Sequence, residues 1–110
     1  MHVISREPSE KAKALYPNCS SALDATYLAL EKSFAKTPEE LKVTFPSLDN
    51  FNYVDKWYVI DIGGNTLRLI AFIEFKGGKC FIKQICTHAE YDKLTDEYRR
   101  KKKQTQRVSL

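Results

Sequence analysis

The hexapeptide THAEYD, residues 87–92, places a histidine, a glutamate, a tyrosine and an aspartate within six positions. These residue types can transfer protons or hold charge in a catalytic site. His88 and Tyr91 are three residues apart, so they share one face if the segment is helical. Asp92 would then lie near the positive end of the helix, where a carboxylate is favoured. What the face of His88 and Tyr91 contacts decides whether this segment is a chemical site.

The same hexapeptide has the pattern of a helix start. Thr87 and Glu90 have the spacing of a capping box, in which each side chain accepts a hydrogen bond from the backbone N–H of the other residue. Capping alone explains these two residues. It does not require His88 or Tyr91, whose role therefore stays open.

Arg68 is a cation within a predicted strand, TLRLIAFIEF, which a GG turn at residues 77–78 joins to the β-leaning run KCFIKQIC. If that turn is a two-residue loop, Arg68 faces Thr87 at the end of the sheet that leads into the hexapeptide. A second turn at residues 64–65 would place Asp61 opposite Arg68. Such a pair is either a surface ion pair of little energetic weight or part of a site, and spacing alone leaves both open.

Side-chain alternation divides the predicted sheet into two faces. The face predicted to lie under the helices carries Leu67, Leu69, Ala71, Ile73, Phe75, Cys80, Ile82 and Cys86. The opposite face, predicted to be open, carries Trp57, Val59, Arg68, Ile70, Phe72, Glu74, Phe81, Lys83, Ile85 and Thr87. In this register Phe72 faces Lys83.

The elements that position these residues are predicted in the order strand, two helices, a short third helix or turn, three antiparallel strands and a short C-terminal helix. HVIS is the opening strand, and the helices are PSEKAKALY, SSALDATYLALEKSF and TPEELKVTF, the last with Thr37 as N-cap. One apolar stripe of the second helix holds Leu23, Tyr27, Leu30 and Phe34. The sequence predicts an α+β fold with N-terminal helices packed on one face of a small antiparallel sheet.

A chain of 110 residues forms one domain with a modest core. We expect that domain to span residues 1–98, with residues 99–110 as a basic C-terminal tail. Three cysteines, an odd number, are typical of a reduced, cytoplasmic protein. No apolar stretch approaches the roughly 20 residues of a membrane span. With no paired-cysteine spacing and no carboxylates converging on the predicted sheet, we expect no metal and no other cofactor.

The net charge of +4 is unevenly distributed. Six of the 18 lysines and arginines lie in residues 99–107, while the rest of the chain carries 12 basic and 14 acidic residues. Residues 56–84 are also basic, with five basic and two acidic side chains. A basic sheet beside a basic tail favours an RNA or phosphate partner, although a basic tail alone also serves solubility.

Segments along the chain resemble, in the same order, the HigB toxins of type II toxin–antitoxin modules, which belong to the RelE/ParE-like superfamily. These segments are MHVISR, FPSLDNF, GGNTLRLIAFIEF and THAEYD, and the resemblance covers residues 1–98. It implies a RelE-like fold and a cytoplasmic mRNA interferase, an endoribonuclease that cleaves mRNA on the translating ribosome. It also implies attack by the RNA 2′-OH without a metal, and neutralisation by a HigA-type antitoxin with a helix-turn-helix domain.

The resemblance implies Arg68, His88, Tyr91 and Asp92 as catalytic residues. Arg68 would contact the phosphate, Tyr91 would stack on a base or donate a proton, and His88 would act as acid or base. Asp92 would orient His88 or Arg68. RelE-like proteins differ in their general base, so that assignment stays open. The residues expected to contact the RNA backbone are Lys56, Lys83, Arg99, Arg100, Lys101 and Lys102.

Two other functions fit parts of the pattern. A ParE-like toxin would keep the scaffold but inhibit a topoisomerase and cleave nothing; the His–Tyr–Asp group argues against it. A non-catalytic RNA-binding module would use the basic tail and a sheet face with Trp57, Phe72 and Phe81. Salt-sensitive binding without cleavage would favour that second function.

Overall fold

The computed structural model describes residues 1–64 and 66–108, with side chains described up to Lys101. Asn65, in the predicted turn at residues 64–65, and the side chain of Lys102 lie outside the described residues. The predicted α+β class is confirmed. The described residues form a 3-10 turn at Pro17–Cys19 and nine helices and strands, which are β1 (His2–Ile4), α1 (Glu7–Leu15), α2 (Ser20–Lys32), α3 (Pro38–Thr44), β2 (Asp49–Asn50), β3 (Trp57–Ile62), β4 (Leu67–Glu74), β5 (Lys79–Thr87) and α4 (His88–Val108).

The five strands form one sheet in the order β1-β5-β4-β3-β2. Strands β2 to β5 pair antiparallel, as predicted for the three longest of them. The opening strand β1 pairs parallel with β5, so the sheet is mixed. Parallel neighbours require a long connection, and all the other elements except α4 lie between these two strands along the chain. No helix in the described part of the chain is long and apolar enough to cross a membrane.

The larger core lies between the N-terminal helices and one face of the sheet. Leu23 and Leu30 of α2 and Leu41 of α3 are buried there with strand residues such as Leu69. The predicted apolar stripe of α2 is wrong only at Phe34, which is 92% exposed. The helix ends at Lys32, so Phe34 no longer follows the helical period. At α3, the Thr37 side chain accepts a hydrogen bond from the backbone N–H of Glu40, confirming the predicted N-cap.

The opposite face of the sheet is partly covered, although the sequence predicted it to be open. A second core buries Phe51, Val59, Ile70 and Cys86. Three residues of α4 pack against it at helical spacing, namely Tyr91, Leu94 and Tyr98. Helix α4 therefore lies on the face that carries the candidate catalytic residues.

The pairing of β4 with β5 differs from the predicted register. Glu74 pairs with Lys79, so the connection holds four residues rather than two, and the ladder shifts between Ile70 and Ala71. Ile70 pairs with Gln84 and Ala71 with Ile82, which leaves Lys83 as the extra residue of a β-bulge.

The shift changes which residues face each other. Arg68 faces Cys86 rather than Thr87, and Phe72 faces Phe81 rather than Lys83. Beyond the bulge the alternation reverses, because one additional residue exchanges the two faces of a strand. Cys86 therefore joins the core under α4, and Ile85 packs against the larger core.

Helix α4 is longer than the predicted short C-terminal helix. It continues from His88 to Val108 through most of the basic segment. The helix sequence, residues 88–108, contains neither glycine nor proline. Lysine, arginine and glutamine are good helix formers, so the like charges of residues 99–107 do not end the helix.

Candidate functional site

Arg68 and Asp61 face each other across β3 and β4, as the sequence predicted. Arg68 Nε lies 3.4 Å from Asp61 Oδ1, and both side chains are about one-quarter exposed, at 28% and 27%. Despite this ion pair, Arg68 Nε is buried and has no hydrogen-bond partner among the described residues. The guanidinium is thus held near a carboxylate while retaining donor capacity for a ligand.

Tyr91 also packs against Arg68. The guanidinium carbon of Arg68 lies 4.4 Å from the centre of the Tyr91 ring, within the range of a cation–π contact. The Tyr91 and Phe51 rings pack in a T-shaped arrangement, with ring centres 6.2 Å apart. The first turn of α4 and the loop before β3 therefore fix the ring on which Arg68 rests.

The Tyr91 hydroxyl is protonated at neutral pH. Burial raises the pKa of Tyr91 above its usual value, and the charge of Arg68 opposes part of that rise. A tyrosine in this state donates a proton or a hydrogen bond and does not act as a base. The position suits a general acid beside a cation.

His88 is the first residue of α4 and is half-buried. Its Nε2 atom is buried and has no hydrogen-bond partner in the described part of the chain. A buried imidazole nitrogen without a partner is costly, which makes His88 a candidate for contact with a ligand. His88 follows Thr87, which pairs with Leu67, the residue before Arg68. His88 and Arg68 therefore lie at the same end of the sheet.

The predicted capping box fixes the start of α4. The backbone N–H of Thr87 donates to Glu90 Oε1 at 2.9 Å, and the N–H of Glu90 donates to Thr87 Oγ1 at 3.2 Å. The Tyr16 hydroxyl donates to the same Glu90 oxygen at 3.5 Å. The hydrogen bond from the Thr87 backbone is the main cause that lowers the pKa of Glu90. These bonds tie α4 to the end of α1.

Cys86 contacts the site through the backbone of Arg68. Its thiol donates to the Arg68 carbonyl oxygen over 3.8 Å. Burial raises the pKa of Cys86 to about 11. Cys86 is therefore an uncharged packing residue at neutral pH. The sequence analysis placed it on the opposite face of the sheet, because the bulge was not predicted.

Asp92 does not take the orienting position that the sequence suggested. It is exposed, and its carboxylate makes no hydrogen bond or ion pair with any described residue. Asp61 contacts Arg68 instead. Phe51, which supports the Tyr91 ring, is a site residue that the sequence analysis missed; its signal was the segment FPSLDNF.

Lys56 lies in the turn before β3, and Lys83 lies within β5. Lys56 forms an ion pair of 3.5 Å with Glu74 at the opposite end of β4. Lys83 is exposed, and its Nζ lies 5.9 Å from the Trp57 ring centre. The two lysines border the sheet surface and do not join the Arg68–Tyr91 pair.

The basic residues of α4 that follow Tyr98 lie about three turns beyond His88. Arg99 pairs with Asp96 at 3.7 Å, and a hydrogen bond with Tyr53 raises the pKa of Arg99. Arg100 is exposed, and Lys101 Nζ lies 5.4 Å from the Tyr98 ring centre. These cations form a positive surface beside the site. Within the described residues, no group of three or more His, Cys, Asp or Glu side chains could hold a metal ion.

Comparison with known proteins places this architecture. A family model described as HigB_toxin, RelE-like toxic component of a toxin–antitoxin system, matches residues 19–94. That range includes Asp61, Arg68, His88 and Tyr91. The chain is thus a RelE-like toxin component.

Curated relatives match over nearly the whole chain. The mRNA interferase HigB of Escherichia coli O6:H1 (strain CFT073) is 50% identical over 102 residues, covering 93% of this chain and 99% of the relative. The mRNA interferase toxin HigB of Escherichia coli K12 is 44% identical over 103 residues, covering 94% and 99%. The mRNA interferase HigB of Shigella flexneri matches to the same extent. The chain belongs to the HigB toxin family, which confirms the family that the sequence motifs predicted.

Proposed function

We propose that this protein inhibits translation as an endoribonuclease that cleaves mRNA, with Arg68, Tyr91 and His88 as its reacting side chains. The observation that carries the proposal is the Arg68 guanidinium stacked 4.4 Å from the Tyr91 ring centre, with a buried Nε that no described residue satisfies. The relatives that match nearly the whole chain are named mRNA interferases. The family and the geometry at Arg68 both support this proposal.

Arg68 stabilises the negative charge that grows on the phosphate. Its guanidinium is partly desolvated, and a donor in a water-poor site stabilises transition-state charge more than the same donor in bulk water. Asp61 fixes the orientation of Arg68 through the 3.4 Å ion pair. Tyr91 also contacts the guanidinium, so Arg68 is held by two neighbours before the substrate binds.

The reaction is a transfer within the RNA. The 2′-oxygen attacks the adjacent phosphorus, the O2′–P bond forms and the P–O5′ bond breaks. His88 takes the proton of the 2′-OH, and the protonated Tyr91 hydroxyl donates a proton to the leaving O5′ atom. The products are a 2′,3′-cyclic phosphate and a 5′-hydroxyl end. No metal is required, because arginine and two proton-transfer groups balance the charges.

The partners follow from the same proposal. The substrate is mRNA on the ribosome, to which the basic end of α4 is attracted through rRNA or mRNA phosphates. A HigA-type antitoxin neutralises the toxin in the cytoplasm. The membership in a toxin–antitoxin family supports an antitoxin partner.

The direct test uses ribosomes programmed with an mRNA that carries one 2′-deoxynucleotide at the cleavage position. We expect cleavage of the unmodified mRNA and loss of cleavage at the modified position. Cleavage of the 2′-deoxy position would overturn the 2′-OH route. Absence of any cleavage, together with inhibition of a topoisomerase, would instead support a ParE-like activity.

A further inference from the structure

We propose that Trp57, Phe72, Phe81 and Lys83 form a stacking row that binds unpaired bases of single-stranded RNA beside the reacting groups. This inference rests on the proposed function, because the same RNA strand would pass from Arg68 to the row. The stacking row contacts the substrate without taking part in bond breakage.

The register of the sheet creates the row. Trp57 of β3 pairs with Phe72 of β4, and Phe72 pairs with Phe81 of β5. The Phe72 and Phe81 ring centres are 5.9 Å apart with an angle of 55° between the rings. Three aromatic side chains from three adjacent strands thus share one line across the sheet, on the same face as Arg68.

Core packing does not account for two of these rings. Phe72 and Phe81 are half-buried, yet neither packs against either of the two core clusters of the described chain. Trp57 does, since its ring lies 6.0 Å from that of Tyr98. Leaving two phenylalanine rings partly in water forgoes hydrophobic stabilisation, so their position is best explained by a ligand that covers them.

The bulge in β5 supplies a cation to the row. Lys83 is its extra residue, and bulges commonly redirect a side chain at a functional surface. Lys83 Nζ lies 5.7 Å from the Phe81 ring centre and 5.9 Å from the Trp57 ring centre. An ammonium group between exposed rings can pair with a phosphate while neighbouring bases stack on the rings.

Helix α4 brings further positive charge to the same surface. Tyr98 packs against Trp57, and Lys101 lies over the Tyr98 ring at 5.4 Å. The chain of contacts from Lys101 to Trp57 and Lys83 places cations on two sides of the stacking row. This charge favours a polyanion over an apolar peptide as the occupant.

The spacing fits a strand that also reaches the reacting groups. Phe72 is four residues from Arg68 on one strand and one face, a separation of roughly 13 Å. A bound single strand can therefore place a phosphate at Arg68 and a base a few nucleotides away on the stacking row. Every base has a stacking face, so the row would favour unpaired RNA with little choice of base.

The experiment uses Trp57, the only tryptophan in the chain, as its own reporter. The whole protein is titrated with a short single-stranded 2′-O-methyl RNA, which lacks the attacking hydroxyl and cannot be cleaved by the proposed route. We expect saturable quenching of Trp57 fluorescence by the single strand and much weaker quenching by the same sequence as a duplex. No quenching by the single strand would overturn the proposal, and so would quenching by the cognate antitoxin but not by the RNA.

Matched variants separate stacking from packing. Phe72→Leu and Phe81→Leu keep apolar volume but remove the ring, and each should weaken RNA binding roughly tenfold. Phe75→Leu is the control, because Phe75 is also half-buried but packs on Tyr58 in the larger core. Equal affinity of all three variants and the parent would overturn the stacking row.

A charge variant keeps the proposal testable if a ring substitution unfolds the protein. Lys83→Met should lower the affinity and the salt dependence of RNA binding, whereas Lys76→Met in the exposed β4–β5 connection should not. The two proposals fail separately. Unchanged cleavage in an Arg68 variant would overturn the reacting site alone, and unchanged RNA affinity in the Phe81 and Lys83 variants would overturn the stacking row alone.

Discussion

Arg68 and Tyr91 form a stacked pair that joins the central strand β4 to the first turn of α4, with the guanidinium carbon 4.4 Å from the ring centre. Asp61 also contacts Arg68, with Oδ1 at 3.4 Å from Nε. The pair brings a cation next to a hydroxyl that is protonated at neutral pH. The capping box begins the helix whose first turn carries Tyr91.

The Tyr91 hydroxyl can be tested apart from its ring. Tyr91→Phe keeps the surface on which Arg68 rests but removes the proton donor, so we expect mRNA cleavage to fall on the order of 10²-fold with little change in melting temperature. Tyr98→Phe is the matched control, because Tyr98 lies on the same helix face and also packs edge-on against Phe51. Full activity of the Tyr91 variant would remove the hydroxyl from the mechanism.

Asp61 acts as a positioning residue for Arg68. Asp61→Asn should change the free energy of unfolding by no more than about 1 kcal/mol, because the pair is partly exposed. It should nevertheless lower the rate of the cleavage step more than the affinity for RNA, and Asp61→Glu should restore part of that rate. Asp24→Asn, which removes the 2.9 Å ion pair with Lys13, is the control and should leave cleavage unchanged. A loss of stability without a change in rate would assign Asp61 a structural role only.

Much of this arrangement was predictable from the sequence. The α+β class, the order of elements, the Asp61–Arg68 register and the Thr87–Glu90 capping box depend on local periodicity, turn residues and short spacings. Local signals of this kind are visible in a single sequence. The motif segments added the family, and with it the expectation that Arg68 and Tyr91 are site residues.

The rest depended on packing between distant residues. No glycine or proline marks the bulge at Lys83 in the sequence. The bulge nevertheless moves Cys86 to the sheet face that carries Arg68. The length of α4 was underestimated because its charges suggested a tail, although the residues concerned favour a helix. Phe51 contacts Tyr91 only when the loop before β3 is placed against α4.

The capping box makes a prediction about stability. Thr87→Ala should lower the free energy of unfolding by about 1 kcal/mol, as expected for a lost helix cap, while most mRNA cleavage remains. Thermal unfolding measured beside a cleavage assay checks both parts. Complete loss of cleavage in a folded Thr87 variant would show that this residue acts in the chemistry.

The other half of the cap makes a prediction about pH. A hydrogen bond from the Thr87 backbone lowers the pKa of Glu90 in the folded protein. A lowered carboxylate pKa contributes stability above the unfolded value, near 4.5, and that contribution is lost as the pH falls through the folded value. The difference in melting temperature between the parent and Glu90→Gln should therefore shrink from pH 7 to pH 3. A difference that stays constant over this range would contradict the ionised cap.

The basic end of α4 should serve binding more than folding. Tyr98 is the last described residue of α4 that packs on the second core, so truncation after Tyr98 should leave the melting temperature nearly unchanged. It should weaken ribosome or RNA association and reduce the dependence of affinity on salt, because fewer phosphates are neutralised. Binding is measured at several salt concentrations. A large fall in melting temperature would show that residues 99–110 stabilise the domain.

The central claim is that Arg68 is the phosphate-stabilising residue of an mRNA endoribonuclease. The most direct measurement is single-turnover cleavage of mRNA on programmed ribosomes by the parent, Arg68→Ala and Arg6→Ala. Arg6 is the matched control, since its guanidinium carbon lies 4.9 Å from the Tyr27 ring centre in a similar stacked contact away from the site. We expect the Arg68 variant to fold and to lose on the order of 10²-fold or more in rate, with the Arg6 variant close to the parent. A folded Arg68→Ala protein that cleaves at the parental rate would contradict the account.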